Sequence, residues 1–375
     1  MKNRLIAWLA VVILGAGTSL VAQDARDPAH RQLGFAGAVY TMSNDAAQNA
    51  VLVFDRLADG RLVGAGAVAT GGMGTGGGLG NQGGLVLTRN ERWVLTVNAG
   101  SDSISVLEVR RRGLRLVEVE PSGGSRPISV TEHRGLVYVL NAASDSISGF
   151  ALGRDGRLRP LAGSTRSLST TGTDPAQITF TPDGDVLVVT EKATNSIVTF
   201  KIDRHGLPGN ARVQVSNGMT PFGFAFGKRD QLFVSEAFGG AENASATSSY
   251  EIDRRGALTT ISPSVGTQQT AACWVAVTPN GRFAYVTNTG SGSITGYGID
   301  VDGSLELLDA DGRTALTGDD SAPVDLAMTD GGRFLYSLNS GTSTIGAFRV
   351  RSDGSLTPLP FTGGLPSGAN GLAAR

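Results

Sequence analysis

The sequence predicts an all-β fold, a seven-bladed β-propeller of four-stranded antiparallel blades, closed where the C-terminal strand joins the N-terminal blade. Three observations lead there. The stretch Asp174 to Ile197 reads as two strands joined by the turn Thr181-Pro182-Asp183-Gly184, and a third strand follows a short polar loop. Related copies start at Cys273 and Pro323, each ending in a Gly turn (Asp302-Gly303, Asp353-Gly354) that leads into a fourth strand. Anchors at the ends of the second strands, Ser43, Asn98, Asn141, Thr190, Ser235, Asn288 and Asn339, lie 43 to 55 residues apart, a propeller period.

Taken in order, residues 1–25 carry Lys2 and Arg4, an apolar run from Leu5 to Leu14 and then small residues. This is the pattern of a secretory signal peptide, with an apolar run too short to span a bilayer. Export to the periplasm or the medium is therefore expected, with residues 26–375 forming one propeller domain. Residues 38–42, 50–55 and 61–68 read as three strands of a first blade that lacks its innermost strand. Inner strands then begin near Leu85, Pro127, Pro175, Pro221, Cys273 and Pro323, and ANGLAAR (Ala369 to Arg375) is the seventh, returning to complete blade 1. Closure of this kind removes two exposed sheet edges. The run GGMGTGGGLGNQGG (Gly71 to Gly84) is read as a flexible connection, because no helix and no GK[ST] follows to make it a phosphate loop.

Composition narrows the function. With 32 basic and 33 acidic residues the net charge is −1, which gives no footprint for nucleic acid. Cys273 is the sole cysteine, so no internal disulfide forms, and it reads as a buried structural thiol. In a four-stranded meander, the loops entering the inner strands share one end with the loops between second and third strands. That end, with its longer loops, is the expected functional face. The three histidines, His30, His133 and His205, fall away from it, so a His-ligated metal or a Ser-His-Asp triad is not expected there.

The face offers carboxylates, amides, cations and aromatics instead. Glu191 could act as a base and Arg126 as an anion clamp. Gln177, Lys192, Trp274, Asp325, Glu236 and Phe222 are candidate substrate contacts around the channel mouth. Glu191, Glu236 and Asp325 could alternatively form an oxygen-ligand calcium site, although no acidic spacing motif marks one. No metal or other cofactor is otherwise expected.

The copy P-x-x-φ-x-F-x-P-D-G (Pro175 to Gly184), followed by a β-branched strand ending in Glu191, resembles the lactonase family of seven-bladed propellers. That family includes the 6-phosphogluconolactonase type and the fungal carboxy-cis,cis-muconate cyclase. The resemblance covers the chain from about Phe35 to Arg375. It implies a propeller acting on a small lactone or carboxylate ligand, with Glu191 at the position of the family's glutamate. Where the family has Gly-Pro-Arg-His this chain has Asp174-Pro175-Ala176-Gln177, and its Pro-His is Pro127-Ile128, so both histidines are replaced. The expected function is an exported lactonase-like protein. The alternatives are a non-catalytic propeller binding a ligand or protein partner, and a calcium-dependent lactonase or propeller lyase.

Overall fold

The computed structural model describes residues 34–375, and the expected signal segment lies outside them. Among the described residues, seven antiparallel sheets form the ring. Blade 1 contains Phe35–Met42, Ala50–Leu57 and Leu62–Ala69, and its innermost strand is Asn370–Ala374 from the far end of the chain. Blades 2 to 7 begin with the inner strands Leu85–Leu87, Pro127–His133, Pro175–Phe180, Pro221–Phe226, Ala272–Val277 and Pro323–Met328. The closing strand pairs antiparallel with Phe35–Met42, Val39 opposite Ala374 and Thr41 opposite Leu372. No helix among the described residues is long and apolar enough to cross a membrane.

The second strand of each blade lies between neighbouring sheets, so both of its faces are covered. Val186–Glu191, Gln231–Glu236, Phe283–Asn288 and Phe334–Asn339 are accordingly buried along their whole length. This is why they read as continuous apolar, β-branched runs and not as alternating patterns. The outer strand Arg212–Val215, by contrast, faces water along most of its length.

Neighbouring blades are tied by a recurring bond. A hydroxyl in one blade donates to the carbonyl of the turn glycine in the next: Tyr138 to Gly206 (2.7 Å), Thr199 to Gly256 (2.8 Å), Tyr285 to Gly354 (2.7 Å) and Tyr336 to Gly60 (2.8 Å). Glycine is required at Gly60 for two reasons. Its φ is +96°, and a Cβ there would come within 2.4 Å of the Phe334 ring.

A second set of clasps lines the channel. The side chain at the third position of one inner strand bonds the backbone of the next strand. Ser129 Oγ accepts from the Ile178 amide (3.2 Å), and Gln177 makes a two-point amide contact with Phe224, accepting its N–H (2.7 Å) and donating to its carbonyl (3.0 Å). Asp325 accepts the amide of Leu372, which locks the closing strand to blade 7. Blade 5 has Gly223 at this position and no side chain to offer. Gln82 fills the gap from the glycine-rich run, accepting from Val275 N (3.2 Å) and donating to Val275 O (2.9 Å).

Candidate functional site at the channel

The glycine-rich run departs from the flexible loop expected of it. Its last third enters the mouth of the channel and closes it. Leu79 and Asn81 are buried. Gln82 N donates to Ala176 O (3.0 Å), Ser129 Oγ donates to Gln82 O (2.7 Å), and Asn81 Nδ2 donates to Ile128 O. Glycine lets this backbone pass between seven inner strands, while Asn and Gln supply the bonds that hold it there.

Four of the expected contacts gather around this stopper or near it. Lys192 Nζ donates to Gly80 O (2.6 Å), stands 3.3 Å from Asp174 Oδ1 and lies 4.8 Å over the Phe222 ring. Burial lowers the Lys192 ammonium below the usual lysine range, and neighbouring Asp174 partly offsets this. The Trp274 indole donates to Asn81 O (2.6 Å) and packs 5.0 Å from Phe222. Arg126 is exposed at the same end, close enough to act on the Lys192 charge. Trp274 and Phe222 are almost wholly covered, so neither presents an open face to a ligand while the stopper is seated.

The two glutamates lie elsewhere, which corrects their expected placement as open groups at the mouth. Glu191 is fully buried, its carboxyl filled by Ser169 N (3.0 Å), Ser169 Oγ and Thr194 Oγ1 (2.7 Å). Glu236 is equally buried and accepts from Gly218 N (2.8 Å), Ser248 Oγ (2.6 Å), Ser264 Oγ (2.6 Å) and Ser216 Oγ (3.3 Å). The reason lies in the repeat. Both occupy the last position of a second strand, the place held by Asn98, Asn141, Asn288 and Asn339 in four other blades, all fully buried. Asn288 there bonds Ser293 (3.1 Å) and Thr295 (2.9 Å), so the position ties down loops in each case. The three carboxyls Glu191, Glu236 and Asp325 are not clustered either: among the described residues no group of three potential ligands could hold a metal ion.

Below the stopper, the channel forms a cavity of about 690 Å³ that opens at the opposite end, the end of the tight turns. Gln82 is its ceiling, Gln177 and Asp325 stand on its wall, and Arg89, Glu91 and Asp330 lie at its rim. The open cavity at this end was not anticipated from loop lengths. His133 is indeed at this end, lining a smaller recess of about 450 Å³ and packed 5.8 Å from Phe180. Gln177 and Asp325, expected at the mouth, thus face the channel interior and serve the ring of clasps. Cys273 is buried as expected, and burial pushes its thiol up to about 12.

Asp325 permits a test. Desolvation raises its carboxyl well above the ordinary aspartate range, against the opposing pull of the Leu326 and Leu372 amides. The folded protein therefore keeps a proton that the unfolded chain gives up above about pH 4, and stability falls as pH rises through that window. Asp325→Asn keeps the Oδ1 acceptor that Leu326 N uses (2.8 Å) and removes the titration. Thermal melts should find it equal to wild type near pH 4 and several degrees more stable at pH 8. A constant difference across pH would mean that Asp325 is not the titrating group.

Residues 48–269 and 179–368 match the family described as Lactonase, 7-bladed beta-propeller. The chain belongs to that family. Over 124 residues this lactonase-family propeller is 32% identical to a 6-phosphogluconolactonase of Pectobacterium carotovorum, a match spanning 32% of the chain and 35% of that relative. Among solved structures, a putative 6-phosphogluconolactonase from Bacteroides fragilis superposes with a TM-score of 0.71 at 18% identity, covering 90% of this chain and 98% of the other. A periplasmic gluconolactonase of Pseudomonas aeruginosa gives 0.71 at 15% identity over 90% and 99%. At such identities these likenesses establish the fold of this family member and nothing finer.

Proposed function

We propose that this lactonase-family propeller is an exported enzyme that opens a small cyclic ester at the loop-end mouth of its channel. The observation that carries the reading is a pair of donors. Lys192 Nζ and Trp274 Nε1 are each aimed at a carbonyl oxygen at 2.6 Å, in a place almost closed to water. Donors in that arrangement meet the charge that develops on a carbonyl oxygen under attack. A water oxygen would bond to the lactone carbonyl carbon and pass its proton to Asp174, the exposed carboxylate beside Lys192. Collapse of the tetrahedral intermediate then breaks the ring C–O bond, and the ring oxygen takes up that proton to leave a hydroxy acid. Arg126, exposed at the same end, would hold the new carboxylate.

Glu191 enters this scheme as the residue that holds the loop carrying Lys192, through Thr194 and Ser169. The lactonase names of the relatives make sugar lactones the first substrates to try, and the leader-like residues 1–25 support export. Purified protein should hydrolyse at least one of a panel of sugar and aromatic lactones, equally with and without a chelator. Lys192→Met should lower kcat by about 100-fold or more. Activity lost to the chelator would favour a calcium-dependent enzyme. No turnover of any lactone would leave a ligand-binding propeller, and cell fractionation tests the export.

A further inference from the structure

Given that reading of the mouth, the stopper has a specific meaning. We propose that Leu79-Gly80-Asn81 is an internal ligand of the carbonyl-binding site, and that a lactone binds by displacing it. The two donors assigned to the substrate carbonyl are both occupied by main-chain carbonyls of this segment, Gly80 O on Lys192 and Asn81 O on Trp274. A peptide carbonyl and a lactone carbonyl present the same acceptor, so the two compete for one place.

The segment is built to leave. Upstream, Gly77 O accepts from Asn44 Nδ2 (2.6 Å) and Thr75 Oγ1 (3.1 Å), which makes a pivot, while Gly77 and Gly78 are exposed and a Cβ at either would meet nothing within 4 Å, so the chain beyond the pivot has room to turn. Downstream, Gln82 is fixed by Val275, Ala176 and Ser129, which gives the segment a firm end to swing from. Between them, Asn81 Oδ1 is buried and accepts no hydrogen bond, a cost that displacement relieves. Leu79 is the chief apolar anchor, packed in the core cluster with the blade strands. Because Gln82 keeps filling the gap left by Gly223, the ring of clasps stays intact when residues 79–81 move.

Hydrogen exchange and kinetics together decide it, using glucono-δ-lactone and dihydrocoumarin as probes on the full chain. Saturating lactone should reduce amide protection across residues 76–81 and leave that of residues 82–87 unchanged. Leu79→Ala, which leaves Lys192, Trp274 and their hydrogen-bond acceptors unchanged, should raise lactone affinity and kcat/KM about tenfold by weakening the seated state. The pair Gly77→Ala and Gly78→Ala, which stiffens the exposed arm, should leave thermal stability unchanged or higher and lower kcat/KM. Protection of residues 79–81 that rises or stays constant with lactone overturns the inference, as does a folded Leu79→Ala protein with wild-type kinetics. Lactone-induced loss of protection without hydrolysis would uphold the displacement and overturn the reaction proposed above, so the two failures are distinct.

Discussion

Deletion of Asn370–Arg375 should leave a chain that no longer gives a soluble monomer. All residues of the strand Asn370–Ala374 are buried, and it is the inner strand of blade 1 although it lies over 300 residues from its partner, Phe35–Met42. Its loss uncovers the ladder edge of Phe35–Met42 and the side of Pro323–Met328 at once. It also leaves the buried Asp325 without the Leu372 amide and Arg56 without Arg375 O, its acceptor at 2.9 Å. An open ladder edge beside an uncovered strand favours pairing between molecules. Size-exclusion chromatography and circular dichroism should show aggregation or loss of β-structure. Gly371→Ala is the graded version: its φ is +71° and a Cβ would lie 2.7 Å from Leu85 N, so a cost of about 1–3 kcal/mol is expected. A truncated chain that stays monomeric with a wild-type melting temperature would show that the ring does not depend on this strand.

Glu236→Ala should be the most damaging single substitution among the expected site residues, and for a reason unrelated to chemistry on a substrate. The change removes the acceptor for one backbone amide and three serine hydroxyls, and it opens a cavity where the carboxyl stood. Buried donors left unpaired cost about 1–3 kcal/mol each before relaxation, so a total of about 3–5 kcal/mol is expected. Glu236→Gln keeps one acceptor oxygen and should lose about half as much. Urea unfolding midpoints measure both. If Glu236→Ala melts like wild type while lactone binding collapses, Glu236 is a substrate contact after all.

The fold was legible because its signals are local and repeated. Each Asp-Gly or Asn-Gly turn, each β-branched run and each inner-strand proline can be read within one repeat, and the missing inner strand of blade 1 pointed to the tail. The places of Glu191 and Glu236 could also have been read, by one further comparison. Aligned at the last residue of the second strand, they stand where four other blades have asparagine, which signals a structural position. Lys192, Phe222 and Trp274, each expected near the channel mouth, pack against one another there, since neighbouring blades bring equivalent positions together. Gln82 and Asn81 gave no such signal, because they lie outside the repeat, and their glycine neighbours suggested only freedom.

Sequence alone therefore determined the number of blades, roughly where each inner strand begins and the point of closure, since hydrophobic pattern and turn chemistry act over a few residues. Only the tertiary structure decided which groups reach the channel. The stopper fills a mouth lined by inner strands distant in sequence, and the clasp missing at Gly223 is supplied from about 140 residues away. Contacts of that kind depend on how the ring closes around the segment, and no local pattern encodes them.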